Sequence, residues 1–520
     1  MGYWENRQAQ IMYEQMEDAE KVARELADIY AKATRELNYQ IGEIFDRFTD
    51  KHNLTEDEAR RLLGMMKDPA DIATLREELA KDPKNAALLA ELESPAYRAR
   101  IERLENLQNE IDRMMQEIYG QEKMVTSEHY ANVFHNSYYR GIYEIQRQAG
   151  FQFSFSTVDP QMLNQMLAME WAGANYSSRI WGNTEALAKD LKEQLVLGYL
   201  TGKPEADMAA EIANKFGVAN YKARRLVRTE SNFQSAQAQL CSYEEADIEK
   251  YMIVATLDLK TSEICREMDG KIFARKDAKV GVNINPFHPF CRTTNVAVFD
   301  DDDLSKLKRR AWDPKTKRNK LIPADTNYRK WYQQNVANNP EALAAEKAIK
   351  NWSADTKQYE AYKKIIEKKH IGKTLADFQE MKYTRPKFYD MLKTDYRRRN
   401  TLRLHPEKAL PEMPTTNLPE PKFTKYLFGG ENPDGLAKGA AFESRLGYNA
   451  DNWKELQREI KAAAPKYPTT IKGSNEYGVN YEQKIVLYGK NGTPANVVVA
   501  WFKDMEKDEM RMVSAYIKEV

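Results

Sequence analysis

Apolar residues recur every three or four positions through the first 155 residues. Val22, Leu26, Ile29, Ala33, Leu37, Ile41, Ile44 and Phe48 fall on one stripe of a long helix. Thr55 with Glu58 three residues later is a capping box that opens another helix. Ser94 followed by Pro95 supplies a cap and a first turn for the next. That helix carries Ile101, Leu104, Ile111, Met115 and Ile118 on one side. The stripes are narrow and the remaining faces charged, so the pattern predicts a long helical arm over 1–155 that packs on its own chain or docks on another subunit.

Residues 160–248 keep the helical period with less charge. Trp171, Tyr176, Ile180 and Trp181 make an aromatic-rich cluster, and Leu187, Leu191 and Leu195 share a face. Thr201-Gly202-Lys203-Pro204 predicts a break, and Gly217 predicts the end of the following helix. The stretch after it holds Arg224, Arg225, Arg228, Thr229 and Glu230, read as a solvated basic face with local pairs. The period then shortens to two. Residues 250–260 predict a strand, as do Lys271-Ile272-Phe273 and 293–299.

Composition narrows the classes. At 520 residues the chain exceeds one core, and about 150 residues per domain implies three or four units. Charged residues make up 30%, yet the formal net charge is +1. That excludes a globally basic nucleic-acid binder and leaves room for a local patch. There is no apolar run of membrane length. The start, MGYWENRQAQ, has none of the parts of a secretory signal. Three cysteines cannot build a disulfide framework and suit a reducing compartment.

The densest chemistry lies at 258–293. It holds Cys265, Cys291 and His288, with an Asp269-Gly270 turn and a Pro286-Phe287-His288-Pro289-Phe290-Cys291-Arg292 run. Three readings stay open. Cys265, His288 and Cys291 could hold a structural zinc completed by Asp258, Asp269 or water, since zinc takes thiolate and imidazole donors. They could be buried thiols beside a hydrogen-bonded histidine. Or Cys265 and Cys291 could form a disulfide late. A catalytic Cys265–His288 dyad has no accompanying motif.

This segment resembles the signature of the MuF-type phage head morphogenesis family, which usually reads T-C-x-x-C, D-G-K and P-x-H-P-x-C-R. The R-x-x-R-T-E run at 225–230 resembles it too. The family's first cysteine would fall at Ser262, a poor zinc ligand. The resemblance implies a minor head domain over 156–304 and a minor capsid protein made in the host cytoplasm. It implies a place inside the procapsid, bound to portal protein, scaffold or major capsid protein, and ejection with the DNA.

Residues 305–404 interleave aromatic residues with lysines and arginines and read as a helical accessory module, its aromatics core and its lysines surface. Arg397, Arg398 and Arg399 are its most concentrated basic spot and the candidate contact to packaged DNA. Five prolines at 405–422 predict an extended linker. Residues 423–520 read as an α+β domain. It has a helix ending near Gly447, a second helix capped by Asn449 or Asp451, and three strands with an Asn491-Gly492 hairpin. This part resembles small C-terminal domains of phage proteins and polymorphic toxins. The implied alternative function is a virion-packaged effector, acting as a ribonuclease or binding a host target. Lys472 and Glu476, flanking Gly473 in an expected loop, are the candidate catalytic pair. The expected class is mainly α with small α+β parts.

Overall fold

The computed structural model describes residues 4–52, 95–201, 205–299, 308–411, 417–507 and 509–519. The Thr55 capping box, the Ser94 cap, the Gly202–Pro204 break and the acidic run from Asp300 lie outside them. The fold is mainly α with small antiparallel sheets. It divides into two compact units, Met1–Tyr332 and Gln333–Val520.

In the first unit, α1 (Trp4–His52), α2 (Pro95–Ala149), α4 (Tyr176–Thr201) and α5 (Glu205–Glu245) form a bundle, with short α3 (Pro160–Ala168) beside it. The middle of the predicted α1 stripe is buried: Leu26, Leu37 and Ile41 meet Ile111 and Ile118 of α2, Leu191 of α4, and Ile212 and Phe216 of α5. The expected break at Gly217 does not occur, and α5 runs straight through it. A mid-helix glycine costs about 1 kcal/mol. Burial of Phe216, Ala219, Ala223 and Val227 on either side outweighs that. The arginines of α5 do not pair locally. Arg224 donates to Glu20 of α1 at 2.9 Å, and Arg228 donates to the same carboxylate.

The bundle feeds a three-stranded antiparallel sheet of β1 (Lys250–Val254), β2 (Ile272–Ala274) and β3 (Thr294–Val298), with β1 central. Tyr251 sits opposite Phe273 on one side and Ala297 on the other. The first strand stops earlier than the sequence suggests. Beyond it, Leu257 bridges Ala311 of a hairpin, β4 (Lys308–Asp313) and β5 (Arg318–Pro323), inside the stretch expected to be helical. Arg309 of β4 and Asp269 form a buried pair at 2.9 and 3.0 Å.

In the second unit, helices Pro340–Lys350, Trp352–Lys363 and Leu375–Thr384 lead to α7 (Pro386–Leu404). Tyr359, Tyr362 and Phe378 are core, as the lysine-surface reading requires. A four-stranded meander follows: β6 (Thr469–Asn475), β7 (Gly478–Tyr488), β8 (Pro494–Asp504) and β9 (Glu509–Ile517), in that spatial order. It is preceded by α8 (Pro433–Leu446) and α9 (Trp453–Ala463). Gly447 ends α8 in the left-handed conformation (φ 77°). Asn452, rather than Asn449 or Asp451, stands at the start of α9. Phe442, Leu446, Leu456 and Ile460 pack on Ile485, Val497, Val499, Trp501 and Met512. Leu410 and Leu418, from the proline-rich stretch, enter the same core, and Asn417 pairs with the backbone of β9.

One buried acid makes the bundle pH-sensitive. Glu122 of α2 accepts the Tyr30 hydroxyl at 2.8 Å, while its Oε1 is buried without a hydrogen bond. Burial pushes its carboxyl up to about 7, against the lowering effect of Tyr30. The native state therefore keeps a proton that the unfolded chain releases near its ordinary value of 4.5. Stability should fall as pH rises from about 4.5 to about 7, by roughly 3 kcal/mol. Denaturant titrations of wild type and Glu122→Gln across that window test this: the variant should lose the slope.

Candidate metal centre

Two local structures bring the three candidate ligands together. Ser262 caps α6 (Glu263–Met268), its Oγ accepting from the Cys265 N–H at 3.4 Å, which places Cys265 in the first turn. On the other side a tight turn, closed by Cys291 N–H donating to His288 O at 3.1 Å, presents His288 and Cys291. Cys265 Sγ lies 3.2 Å from His288 Nε2 and 3.8 Å from Cys291 Sγ. All three ligand atoms fall within 4.8 Å of one another. Both thiols are buried and reduced, and the imidazole is half-buried.

The histidine tautomer suits a cation. His288 Nδ1 faces the Pro289 carbonyl at 2.7 Å. A carbonyl only accepts, so Nδ1 carries the proton and Nε2 turns its lone pair toward the thiols. Metal-binding histidines are commonly held this way. Its hydrogen bond with Cys265 raises the imidazole above its ordinary range, against burial. Burial disfavours the Cys291 thiolate, yet hydrogen bonds from Cys265 and from the Phe287 and Thr293 backbones outweigh it and hold the thiol at about 6. Cys265, sharing its proton with Cys291 and buried as well, is pushed up to about 12. Two sulfurs bonded to one zinc at about 2.3 Å in a tetrahedron sit about 3.8 Å apart. The sulfur separation here matches that edge. The residues present thus fit a metal ion.

Neither aspartate completes the set. Asp258 receives both Arg292 nitrogens at 2.7 and 2.9 Å, together with Thr261 and the Lys260 N–H. Asp269 receives Arg309 and the backbone N–H groups of Ala255 and Tyr328 at 2.7 Å each. With those partners in place, neither aspartate is among the groups gathered around the two thiols and the imidazole.

The turn is pinned from α5 by Thr229, which the sequence placed on a solvated basic face, and by asparagines that sequence reading passed over. Thr229 Oγ1 accepts the Phe290 N–H at 3.1 Å. Asn232 donates to Thr293 O at 2.9 Å and accepts from Asn285 at 2.7 Å, and Asn285 accepts from Asn295 at 3.2 Å. All three asparagines are fully buried. Glu230, between Thr229 and Asn232 in sequence, takes the Trp171 indole N–H at 3.1 Å and the Arg179 guanidinium. The signal was present: Asn285 abuts Pro286 of the histidine run, and Asn232 follows R-T-E by two residues.

The other candidates scatter. Lys472 lies in β6, not a loop, and pairs with Glu482 of β7 at 3.4 Å. Glu476 sits at the turn between those strands. Arg399 is held by Asp395 at 2.6 Å and Glu367 at 3.1 Å, and Arg398 donates to Asn496 at 2.7 Å. Arg397 is exposed and donates to Thr394 at 3.3 Å. Two of the three arginines are committed inside the fold.

Residues 189–296 match the family described as Phage Mu protein F like protein, so this part of the chain is a MuF-type phage protein domain, which supports a phage head morphogenesis protein. Residues 409–519 match a domain of unknown function, DUF6883. The chain is 27% identical over 188 residues to "NAD(+)--arginine ADP-ribosyltransferase EFV" of Enterococcus faecalis (strain ATCC 700802 / V583), covering 35% of this chain and 38% of that protein. It is 30% identical over 103 residues to an uncharacterized protein of Haemophilus influenzae (strain ATCC 51907 / DSM 11121 / KW20 / Rd), covering 20% and 23%. It therefore spans less than two fifths of either relative. No solved structure matches.

The Asp269–Arg309 pair ties the β4–β5 hairpin to this domain. Arg309→Met should leave a buried carboxylate without its cation and cost about 3–5 kcal/mol. Urea unfolding followed by tryptophan fluorescence reads this; an unmoved midpoint would show the pair to be dispensable.

Proposed function

We propose that this protein is a phage minor capsid protein acting in head morphogenesis. It is made in the host cytoplasm, assembled inside the procapsid against portal protein, scaffold or major capsid protein, and ejected with the genome. The carrying observation is that the MuF match at 189–296 coincides with α5, the sheet and the hinge, one continuous piece of structure. No described helix is long and apolar enough to cross a membrane, in keeping with a head-interior place.

Within that reading, Cys265, His288 and Cys291 hold a structural zinc whose fourth position is taken by solvent. The metal would tie α6 to the 288–291 turn without any redox role. Two deprotonated thiols and a neutral imidazole would balance the dication. Elemental analysis of purified protein should give about one zinc per chain, and Cys291→Ser should abolish it. Metal-free wild-type protein retires the zinc.

A second reading makes the head protein a carrier and its C-terminal region the cargo, a ribonuclease or a binder of a host target. It is favoured by the separate core that residues 410–515 build and by a relative whose printed activity is a transferase. Quantitative mass spectrometry of purified virions and procapsids addresses the head assignment for either version. A few copies per particle are expected, and absence from both would end it.

A further inference from the structure

The two faces of the C-terminal sheet differ in chemistry. Gln483, Ile485 and Leu487 of β7, Val497, Val499 and Trp501 of β8, and Met510 and Met512 of β9 face the helices and are buried. The register lines up the alternate residues on the opposite face. Glu482, Ala500 and Ser514 form one row; Lys484, Val498 and Tyr516 the next; Asn480, Phe502 and Arg511 a third. Lys472 reaches this face from the β6 bulge and pairs with Glu482 at 3.4 Å. The Arg511 guanidinium lies 5.1 Å from the Phe502 ring, and Lys438 Nζ lies 5.5 Å from the Tyr516 ring.

We propose that this face binds single-stranded nucleic acid. Half-buried Ala500 and Phe502 of β8 form its floor beside the buried Val498, with cations and the Tyr516 ring on the flanking strands. Lys472, Lys484 and Arg511 stand against one carboxylate, Glu482, in the central rows. Phe502 and Tyr516 are half-buried and offer flat surfaces for bases. Four-stranded sheets with exposed rings and cations on the face away from their helices bind unpaired bases in this manner. The track has ends. At one, Arg398 of α7 occupies Asn496. At the other, Asp504 and Glu509 sit opposite each other and repel phosphate. What remains is about three rows, some 13 Å along the strands, enough for two or three nucleotides. A rigid duplex is too wide to lay its bases on that floor. The assignment holds whether or not the chain rides in a phage head, and it gives the cargo reading a ligand class.

Fluorescence anisotropy with the full chain tests it, using a short fluorescein-labelled RNA, the same sequence as DNA, and a DNA duplex. Saturable binding of RNA, of single-stranded DNA or of both supports the proposal and identifies the natural strand. Three neutralised phosphates predict about a sixteenfold loss of affinity between about 50 and about 200 mM NaCl. Tyr516→Ala should weaken binding about tenfold. Lys484→Ala with Arg511→Ala should weaken it further and flatten the salt dependence, with the unfolding midpoint as a control for folding. Tighter binding of duplex than of either single strand, no binding at low salt, or undiminished binding by the double variant would overturn it. None of these outcomes bears on virion copy number, so the head assignment stands or falls separately.

Discussion

The hinge turn is held by a buried line of amide hydrogen bonds running from Asn232 through Asn285 to Asn295. A buried amide left unpaired costs roughly 1–3 kcal/mol. Each of these side chains therefore fixes its neighbour, and the line as a whole fixes where α5, the 285–295 loop and β3 meet. His288 and Cys291 lie inside that loop. Their position relative to Cys265 is a consequence of the amide line, the Thr229–Phe290 contact and the capped turn of α6. Together these contacts bring the three ligand atoms within 4.8 Å of one another.

That preorganisation also accounts for the serine at 262. A third thiolate would give a zinc site net negative charge in a buried place. With Ser262 capping the helix, two thiolates and an imidazole would balance a dication. Arg292, which could have compensated an extra charge, is free to pair with Asp258. The hydroxyl satisfies a backbone N–H at the start of α6, a role a thiol fills poorly. Capping and coordination compete for one position, and in this chain capping has it.

The hinge was legible because scarce residue types clustered there, and the three strands around it were legible from their β-branched runs. The mainly helical class followed from the stripes of α1 and α2. What escaped was set by partners distant in sequence. The helix through Gly217 persists because Phe216 and Ala219 are buried against α1 and α2, which no local window shows. The β4–β5 hairpin and β6 were missed because β5 and β6 are largely exposed and β4 buries an arginine and an alanine in place of alternating large apolar residues; β6 is a solvated edge strand. Arg398 and Arg399 looked like a nucleic-acid patch because their acceptors, Asn496 and Glu367, are 98 and 32 residues away. The asparagine line looked like ordinary polar sequence for the same reason.

The same contrast explains why the basic character of the second unit lies elsewhere than its densest arginine run. Arginine's planar fork suits buried pairing with carboxylates. Arg399 uses it that way, and Asp395 also accepts the hydroxyls of Tyr467 and Tyr488 at 2.6 and 2.8 Å. A buried network of this kind stabilises only if every member is satisfied, so its charges are unavailable to a ligand. Lys484 of β7 is the opposite case. It extends from an exposed strand position and has no ion-pair partner among the described residues. A cation that the fold does not consume can respond to an external phosphate. Density of charge along the sequence therefore reports on folding in α7 and says little about binding, whereas Lys484 on the sheet keeps its charge for something outside the chain.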